Sequence, residues 1–218
     1  MSTNFYIDGF NLYYLALKNT HFKWLDIAKM CATLRPRSRV NKIRYFTARV
    51  SALPHDPKAS DRQDVYLRAL RTIPNLTIHE GLFTSWPRWL PKYPLVYSDP
   101  TKPPELVQVL RTEEKGSDVN LATLLLIDCF DNDFDEAVVI SNDSDLVLPI
   151  EMVTTKFGKT VVVINPTSDR RRARKMNKEL HRVSSDYIWM INKKVLANCQ
   201  FPATLADLRG TFSKPAEW

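Results

Sequence analysis

The segment AVVISNDSDL, residues 137–146, contains the pattern that decides the fold of this chain. Its first four residues are apolar and mostly β-branched, which predicts a short, fully buried strand. The five residues after them are short and polar, which favours the start of a helix. Such a strand delivers Asp143 and Asp145 to a strand–helix junction, where ligands bind in open α/β sheets. In the alternative interpretation, Ser141 or Asp143 only caps the helix, and this segment alone leaves both interpretations open.

The same construction occurs at two other places in the chain. The mostly apolar run 4–7 ends at Asp8 and precedes a helical pattern, and Asp118 opens the mostly apolar segment 119–130. The sequence therefore places three carboxylates, those of Asp8, Asp118 and Asp143, at three junctions between elements. Mg²⁺ prefers oxygen ligands and is usually bound through a few carboxylates, so the pattern indicates a divalent-metal site.

Size and charge restrict the class of protein. The chain has 218 residues, enough for one large domain or for one domain with an appendage, and 44% of them are hydrophobic, as in globular proteins. The formal net charge is +7, although acidic residues gather near the junctions. This combination suits a polyanion that is held by Lys and Arg and cut at a metal. Alternatively, the positive charge serves solubility alone.

The cysteines and the N-terminus bear on the compartment. The three cysteines are far apart and form no C-x-x-C pair, which is typical of a reducing compartment. The N-terminus leads directly into the first apolar run and lacks the pattern of a signal peptide. No apolar run approaches the ~20 residues that span a bilayer. We expect a soluble, cytoplasmic protein that does not bind membranes.

Helical and extended patterns alternate along the first half of the chain. They predict helix 24–34, strand 40–50, helix 59–73 and strand 76–83. Strands 137–140 and 160–164 follow later. This alternation predicts right-handed crossovers and a mainly parallel sheet.

The segment 84–104 interrupts this alternation. It has six prolines, and its large aromatic residues are Trp86, Trp89, Tyr93 and Tyr97. We expect a long loop that is too rich in aromatic residues to be disordered. Exposed aromatics there would stack unpaired bases, with Trp86 and Trp89 as the candidates, or else they pack the loop onto the domain. Residues 106–111 look extended, and we expect them to pair antiparallel with strand 76–83.

A basic run follows the last predicted strand. It is formed by Arg170, Arg171, Arg172, Arg174 and Lys175. Runs of this kind bind nucleic acids, although a short one is often only a solvated helix face. Lys115, three residues before Asp118, is a further candidate for neutralising a phosphate. Residues 196–218 are weakly patterned and cannot be placed.

Several classes of active site are excluded by missing motifs. The five glycines cannot form a P-loop or a G-x-G-x-x-G turn, and there is no G-x-S-x-G or H-E-x-x-H motif. The four histidines are scattered and offer no general base. What remains is an aspartate-only, metal-assisted site of the kind that activates water against a phosphodiester.

Three segments together resemble a known family. DGFNL (8–12), KGSDV (115–119) and SNDSDL (141–146) are similar to the three signature blocks of the NYN domain. That domain is a branch of the PIN-like nuclease superfamily, and the branch includes the LabA-like proteins. The resemblance covers about residues 3–165 and implies a three-layer α/β/α sandwich with a mainly parallel central sheet and Rossmann-like topology.

The resemblance also implies an activity and roles for particular residues. The activity is Mg²⁺- or Mn²⁺-dependent endoribonuclease chemistry, with RNA, preferably single-stranded, as the substrate. By position in the blocks, Asp8, Asp118 and Asp143 would be the metal carboxylates. Asp145 would be an additional acidic ligand or a group just outside the ligands, and Asn11 would orient a ligand or water. We divide the chain into a nuclease domain (1–166), which includes the insertion 84–104, and a basic C-terminal extension (167–218).

Three alternatives are kept open. Haloacid-dehalogenase phosphatases need an aspartate where this chain has Phe10, and Toprim domains expect a glutamate where it has Asp8. The third alternative is a non-catalytic RNA-binding or scaffold module that keeps the PIN-like fold, because a fold does not establish a function. A homo-oligomer is compatible with the sequence but does not follow from it.

Overall fold

A computed structural model describes residues 1–52, 56–95, 101 and 103–218 of the chain. In this part, seven strands form one sheet in the order β4-β3-β2-β1-β5-β6-β7. All neighbours are parallel except the antiparallel pair β3–β4. The strands are β1 (Ser2–Asp8), β2 (Arg39–Ala48), β3 (Leu76–Pro91), β4 (Leu106–Lys115), β5 (Glu136–Ile140), β6 (Thr160–Ile164) and β7 (Asp186–Ile188).

Helices connect the strands and cover the sheet. They are α1 (Gly9–Leu12), α2 (Ile27–Leu34), α3 (Ala59–Leu70), α4 (Ser117–Phe130), α5 (Val147–Glu151), α6 (Arg170–Ala173), α7 (Lys178–Val183) and α8 (Lys193–Asn198). A π-helical turn, Tyr13–Leu17, prolongs α1. A 3₁₀ turn, Ser144–Leu146, precedes α5, and a π-helical turn, Met152–Lys156, follows it. A separate hairpin, β8 (Thr204–Asp207) with β9 (Gly210–Ser213), lies near the C-terminus.

The core lies on both faces of the sheet, which gives the three layers. Successive residues of a strand point to opposite faces, so Phe5 and Ile7 of β1 join one buried cluster while Tyr6 joins the other. All five residues of β5 are buried. Near-continuous apolar strands of this kind are typical of parallel sheets covered by helices on both faces. The predicted α/β sandwich is thereby confirmed.

The strand order reverses at β1, and this reversal positions the site. The crossovers from β1 lead to β2 on one side, whereas β5, much later in the chain, pairs with its other side. Ile7 and Ile140 are partners in the register, so the chain leaves β1 and β5 side by side. Ligands of open α/β sheets bind outside the carboxyl ends of the strands at such a switch point.

The segment 84–104 differs from the loop that the sequence predicted. Residues up to Pro91 continue β3, and they pair with β4 in an unbroken register from Leu82–Lys115 to Pro91–Leu106. The loop prediction was wrong for 84–91. Residues 106–111 do pair antiparallel with β3, but with its residues 86–91 and not with the predicted strand 76–83. Beyond Gly81, β4 is the only strand of the described residues that pairs with β3, and prolines are tolerated where a strand has one free edge. Tyr97 lies outside the described residues.

The chain beyond residue 166 is integrated with the sheet. Strand β7 pairs with β6 and extends the sheet past the boundary that we drew at residue 166. At the C-terminus, the ring centroid of Trp218 lies 5.8 Å from that of Tyr66 and 6.3 Å from that of Trp24. The segment 196–218, which the sequence did not place, therefore packs against the core on the side of α3. Among the described residues, no helix has the length and apolar character needed to cross a bilayer.

Candidate functional site

A cavity of about 340 Å³ lies at the carboxyl edge of the sheet. It is lined by Asp8, Phe10, Asn11, Tyr14, Thr112, Glu114, Asp118 and Asp143. The structure thus brings the three predicted metal carboxylates and Asn11 to one cavity, although Asp118 and Asp143 come more than a hundred residues after Asp8. We call it the acidic cavity.

Asp8 is the most buried of these carboxylates. Only 3% of the residue is exposed. Its Oδ1 accepts a hydrogen bond from the backbone N–H of Asn11 (2.9 Å), which caps α1, and its Oδ2 accepts one from Ser141 Oγ (3.0 Å). Burial raises the pKa of Asp8, and these hydrogen bonds oppose the rise. The network fixes the carboxylate against the end of β5.

Asn11 joins the first and third signature blocks. Its side-chain Nδ2 donates to Asp8 Oδ2 at 2.5 Å, and its Oδ1 accepts from the backbone N–H of Asn142 at 3.4 Å. The predicted orienting role of Asn11 therefore has a concrete partner in this structure, the carboxylate of Asp8.

Asp143 caps a helix and also lines the acidic cavity. Its Oδ1 accepts from the backbone N–H of Asp145 at 3.0 Å, so the capping interpretation is correct for one oxygen. Its Oδ2 forms no hydrogen bond with any residue in the described part of the chain. Asp145 is exposed and is absent from the lining of the cavity, but its charge contributes to the raised pKa of Asp118.

Asp118 stands in the first turn of α4, where the other carboxylates of the site repel its negative charge. Burial raises its pKa to about 7, and the charges of Asp8, Asp143, Glu114 and Asp145 add to the rise. Gly116, directly before the helix, has a φ of 97°, a left-handed conformation that glycine adopts without strain.

Glu114 is a cavity residue that sequence reasoning missed. Its Oε1 accepts a hydrogen bond from the backbone N–H of Ser117 at 3.0 Å, at the start of α4. A Cβ at Gly81 would lie 2.6 Å from that same oxygen, so the glycine leaves room for the carboxylate. The sequence signal was an acidic residue four positions before Asp118.

The negative charge of the cavity is not neutralised within the described part of the chain. There, Asp8, Glu114, Asp118 and Asp143 form no ion pair with a Lys, Arg or His side chain. The donors are all oxygens, as Mg²⁺ and Mn²⁺ prefer. The Oγ of Ser117, buried beside Asp118, has no hydrogen-bond partner among the described residues. The chemistry of the donor set therefore fits a divalent cation.

The arrangement of the carboxylates fits a metal ion less well than their chemistry does. Within the described ranges, no group of three or more His, Cys, Asp or Glu side chains is already arranged to hold a metal ion. Asp8 is fixed by its hydrogen bonds, whereas Asp118 and one oxygen of Asp143 are not. Binding an ion would therefore require the carboxylates of Asp118 and Asp143 to turn towards it.

The predicted basic residues differ in their relation to the acidic cavity. Arg172 donates to the backbone carbonyl of Tyr14 at 3.3 Å, which brings the basic run to the rim of the acidic cavity. The other members of the run are exposed: Arg170, Arg171, Arg174 and Lys175. Lys115 is also exposed, and its Nζ pairs with Glu113 at 3.0 Å.

The predicted aromatic residues do not share one surface. Trp86 is the partner of Arg111 in the β3–β4 register, and Trp89 is the partner of Gln108. Cross-strand partners lie on the same face, and positions three apart on a strand lie on opposite faces. Trp89, 60% exposed, is therefore on the face of Thr112, which lines the acidic cavity, and Trp86 is on the other face.

Comparisons with known proteins agree with this architecture. The chain is 28% identical over 243 residues to 6-hydroxy-3-succinoylpyridine 3-monooxygenase HspA of Pseudomonas putida (strain DSM 28022 / S16), a match that covers 100% of this chain and 75% of the relative. A crystal structure of a Vibrio parahaemolyticus protein of unknown function is similar in fold. Its TM-score is 0.54 at 14% identity, covering 88% of this chain and 93% of that one. The family model of the NYN domain matches residues 2–191, and the chain therefore belongs to the NYN domain family.

Proposed function

We propose that this protein is a metal-dependent ribonuclease that hydrolyses RNA phosphodiester bonds with Mg²⁺ or Mn²⁺. The observation that carries the proposal is the meeting of Asp8, Asp118 and Asp143 in one cavity at the switch point of the sheet, with no cationic partner among the described residues. Membership in the NYN family supports it, because NYN proteins are usually metal-dependent ribonucleases.

The proposed roles follow from the contacts of each side chain. Asp8, Asp118 and Asp143 would hold the ion, and a bound divalent ion would lower the pKa of a water that it binds, which makes that water easier to deprotonate. Asn11 keeps Asp8 oriented through the 2.5 Å hydrogen bond. Asp118 must release its proton before it can act as a ligand, and its pKa of about 7 sets the pH at which it does so without an ion. Asp145 contributes negative charge that raises the pKa of Asp118.

Finer parts of the proposal rest on the sequence. These are cleavage within the RNA chain, preference for single strands, membership in the LabA-like branch and a cytoplasmic location.

The direct test is incubation of the purified protein with end-labelled RNA. We expect cleavage of single-stranded RNA with Mg²⁺ or Mn²⁺ and none when a chelator is present. A circular RNA substrate separates endonucleolytic from exonucleolytic cutting, since only an endonuclease opens a circle. Binding of RNA without cleavage under either ion would instead favour the non-catalytic module.

The ends of the products report the mechanism. Among the described residues, no histidine lines the acidic cavity, and we expect the attacking group to be water rather than the RNA 2′-hydroxyl. The products should then carry a 5′-phosphate and a 3′-hydroxyl. A substrate with 2′-deoxyribose at the cleaved position should be cut at a similar rate. Mass spectrometry that finds a 2′,3′-cyclic phosphate would contradict this mechanism.

The basic run should contribute to binding by neutralising phosphates. We expect the double variant Arg171→Gln/Arg172→Gln to bind RNA more weakly and with a flatter salt dependence. For single strands the slope falls by about 0.7 for each phosphate that the protein no longer neutralises. The matched control is Lys193→Gln/Lys194→Gln on α8, an exposed pair of cations on a helix that packs against α2. Equal slopes for both double variants in fluorescence-anisotropy titrations would remove the run from the binding surface.

The relative from Pseudomonas putida favours a second candidate function, an oxygenase acting on a substituted pyridine. Such a reaction inserts one oxygen atom of O₂ into the substrate and reduces the other to water, with two electrons and two protons from a reductant. The test is incubation with 6-hydroxy-3-succinoylpyridine, a two-electron reductant and O₂. Substrate-dependent oxygen consumption, together with no RNA cleavage, would favour this candidate over the ribonuclease.

A further inference from the structure

A second, larger cavity adjoins the acidic cavity. Its volume is about 460 Å³, within the range of small-molecule sites. The two cavities share Phe10, Tyr14 and Thr112 in their linings. Its aromatic lining residues are Phe10, Tyr13, Tyr14, Tyr45, Tyr66 and Trp218, and we call it the aromatic cavity.

The boundary between the two cavities is built from stacked rings. The rings of Phe10 and Tyr14 lie 6.3 Å apart with an interplanar angle of 21°, and Tyr13 meets Tyr14 edge-on at 5.3 Å. Tyr14 is 50% exposed, so part of its ring is open to a ligand. Tyr13 and Tyr14 belong to the π-helical turn, a rare conformation that is frequent at functional sites.

The lining of the aromatic cavity contains polar groups without partners. Tyr45 is only 6% exposed and Thr47 only 4%, and neither side-chain hydroxyl forms a hydrogen bond with another residue in the described ranges. Neither oxygen is among the fully buried side-chain atoms without a partner, which in the described part of the chain are Ser117 Oγ and Asn165 Nδ2. Tyr45 and Thr47 line the cavity, so their hydroxyls can hydrogen-bond a ligand with polar edge atoms. A Cβ at Gly9 would lie 2.7 Å from the Tyr45 hydroxyl, so the glycine of the first block gives this tyrosine its position.

The charge of the aromatic cavity is opposite to that of its neighbour. Lys18, Lys23 and Arg62 are part of its lining. Arg62 is held by Asp56 at 2.5 Å, whereas the Nζ of Lys18 lies 4.8 Å from the centroid of the Tyr14 ring. An aromatic site with cations suits a planar ring that carries an anionic group.

We propose that the aromatic cavity binds the unstacked base of the nucleotide next to the phosphodiester that is cut, with its phosphate near Lys18 and Lys23. The base would stack on Tyr14 and accept or donate hydrogen bonds at Tyr45 and Thr47. This inference rests on the proposed ribonuclease function and deepens it, because only an unpaired base can enter a cavity of this kind. It gives a physical reason for a preference for single strands.

The test is an NMR titration that measures binding of adenosine 5′-monophosphate to the full chain in the presence of a chelator. We expect saturable binding that weakens about tenfold or more in Tyr14→Ala, as for the loss of a base-stacking side chain. Tyr45→Phe, which removes only the hydroxyl, should weaken binding without a loss of packing. Tyr93→Ala is the control, since Tyr93 is 91% exposed and lies at the far end of the β3–β4 hairpin. Equal affinities for all four proteins would overturn the proposal.

Two further outcomes separate this inference from the proposed function. If adenosine monophosphate binds and Tyr14→Ala weakens it while RNA is never cut, the nucleotide site stands and the ribonuclease function fails. If RNA is cut but the nucleotide does not bind, the aromatic cavity does not hold a base. Tighter binding of pyridine-3-carboxylate than of the nucleotide would also overturn the assignment, in favour of a small heteroaromatic acid.

Discussion

Asp143→Asn will lower the rate of RNA cleavage by more than about 100-fold, because even residues that only orient metal ligands contribute 10–100-fold. The substitution keeps the size of the side chain, and the amide oxygen still accepts the backbone N–H of Asp145. Asparagine is as good a helix cap as aspartate, so the fold should be retained. What is lost is the negative charge beside Asp8 and Asp118.

The measurement is single-turnover cleavage of end-labelled RNA with saturating Mn²⁺, with circular dichroism to verify the fold. Asp26→Asn is a matched control, since Asp26 caps α2 through the backbone N–H of Lys29 at 3.0 Å and is absent from both cavity linings. We expect this control to cleave at the wild-type rate. An Asp143→Asn variant that cleaves as fast as the control would remove Asp143 from the metal site.

Asp118→Asn will stabilise the metal-free protein at pH 8. The pKa of Asp118 is raised to about 7 in the folded chain, so the folded state holds this proton more tightly than the unfolded state does. The free energy of unfolding therefore falls as the pH rises from about 4 through 7. Asparagine carries no proton to lose. We expect a gain of about 2 kcal/mol at pH 8, less than the full shift at 1.36 kcal/mol per pKa unit because Asp118 is partly exposed.

Urea unfolding at pH 5 and pH 8, with and without Mg²⁺, measures this effect. Mg²⁺ should raise the free energy of unfolding of the wild type at pH 8 by mass action, and it should do little for Asp118→Asn. Asp61→Asn, an exposed aspartate of α3 outside both cavity linings, serves as the control and should behave as the wild type. If the free energy of unfolding changed with pH in the same way for the wild type and Asp118→Asn, the pKa of Asp118 would not be raised in the folded chain.

The carboxyl edge was predictable from the sequence because its signals are local. A short apolar run followed at once by a capping aspartate marks both the end of β1 at Asp8 and the end of β5 before Asp143. A parallel sheet then brings such ends together without further information. Asp118, at the start of a helix, was found by a similar local signal, but it reaches this edge because β4 returns antiparallel to β3.

The features that the sequence did not reveal depend on contacts between distant residues. Arg172 reaches the carbonyl of Tyr14 across 158 positions, and Trp218 packs on Tyr66 from the end of a segment without a clear pattern. Glu114 enters the acidic cavity because β4 ends there, which only the pairing of β4 with β3 determines. The prolines of 84–91 suggested a loop, since a sequence does not show which strand has a free edge.

A measurement of Mn²⁺ binding at pH 8 tests the central claim most directly. Binding is detected as a decrease of the free-ion signal in electron paramagnetic resonance. The claim is that Asp8, Asp118 and Asp143 hold a divalent cation in the acidic cavity. We expect saturable binding by the wild type, competition by Mg²⁺, and loss of binding in Asp143→Asn but not in Asp26→Asn. A free Mn²⁺ signal that stays unchanged on adding wild-type protein, or that falls equally with both variants, would contradict the claim.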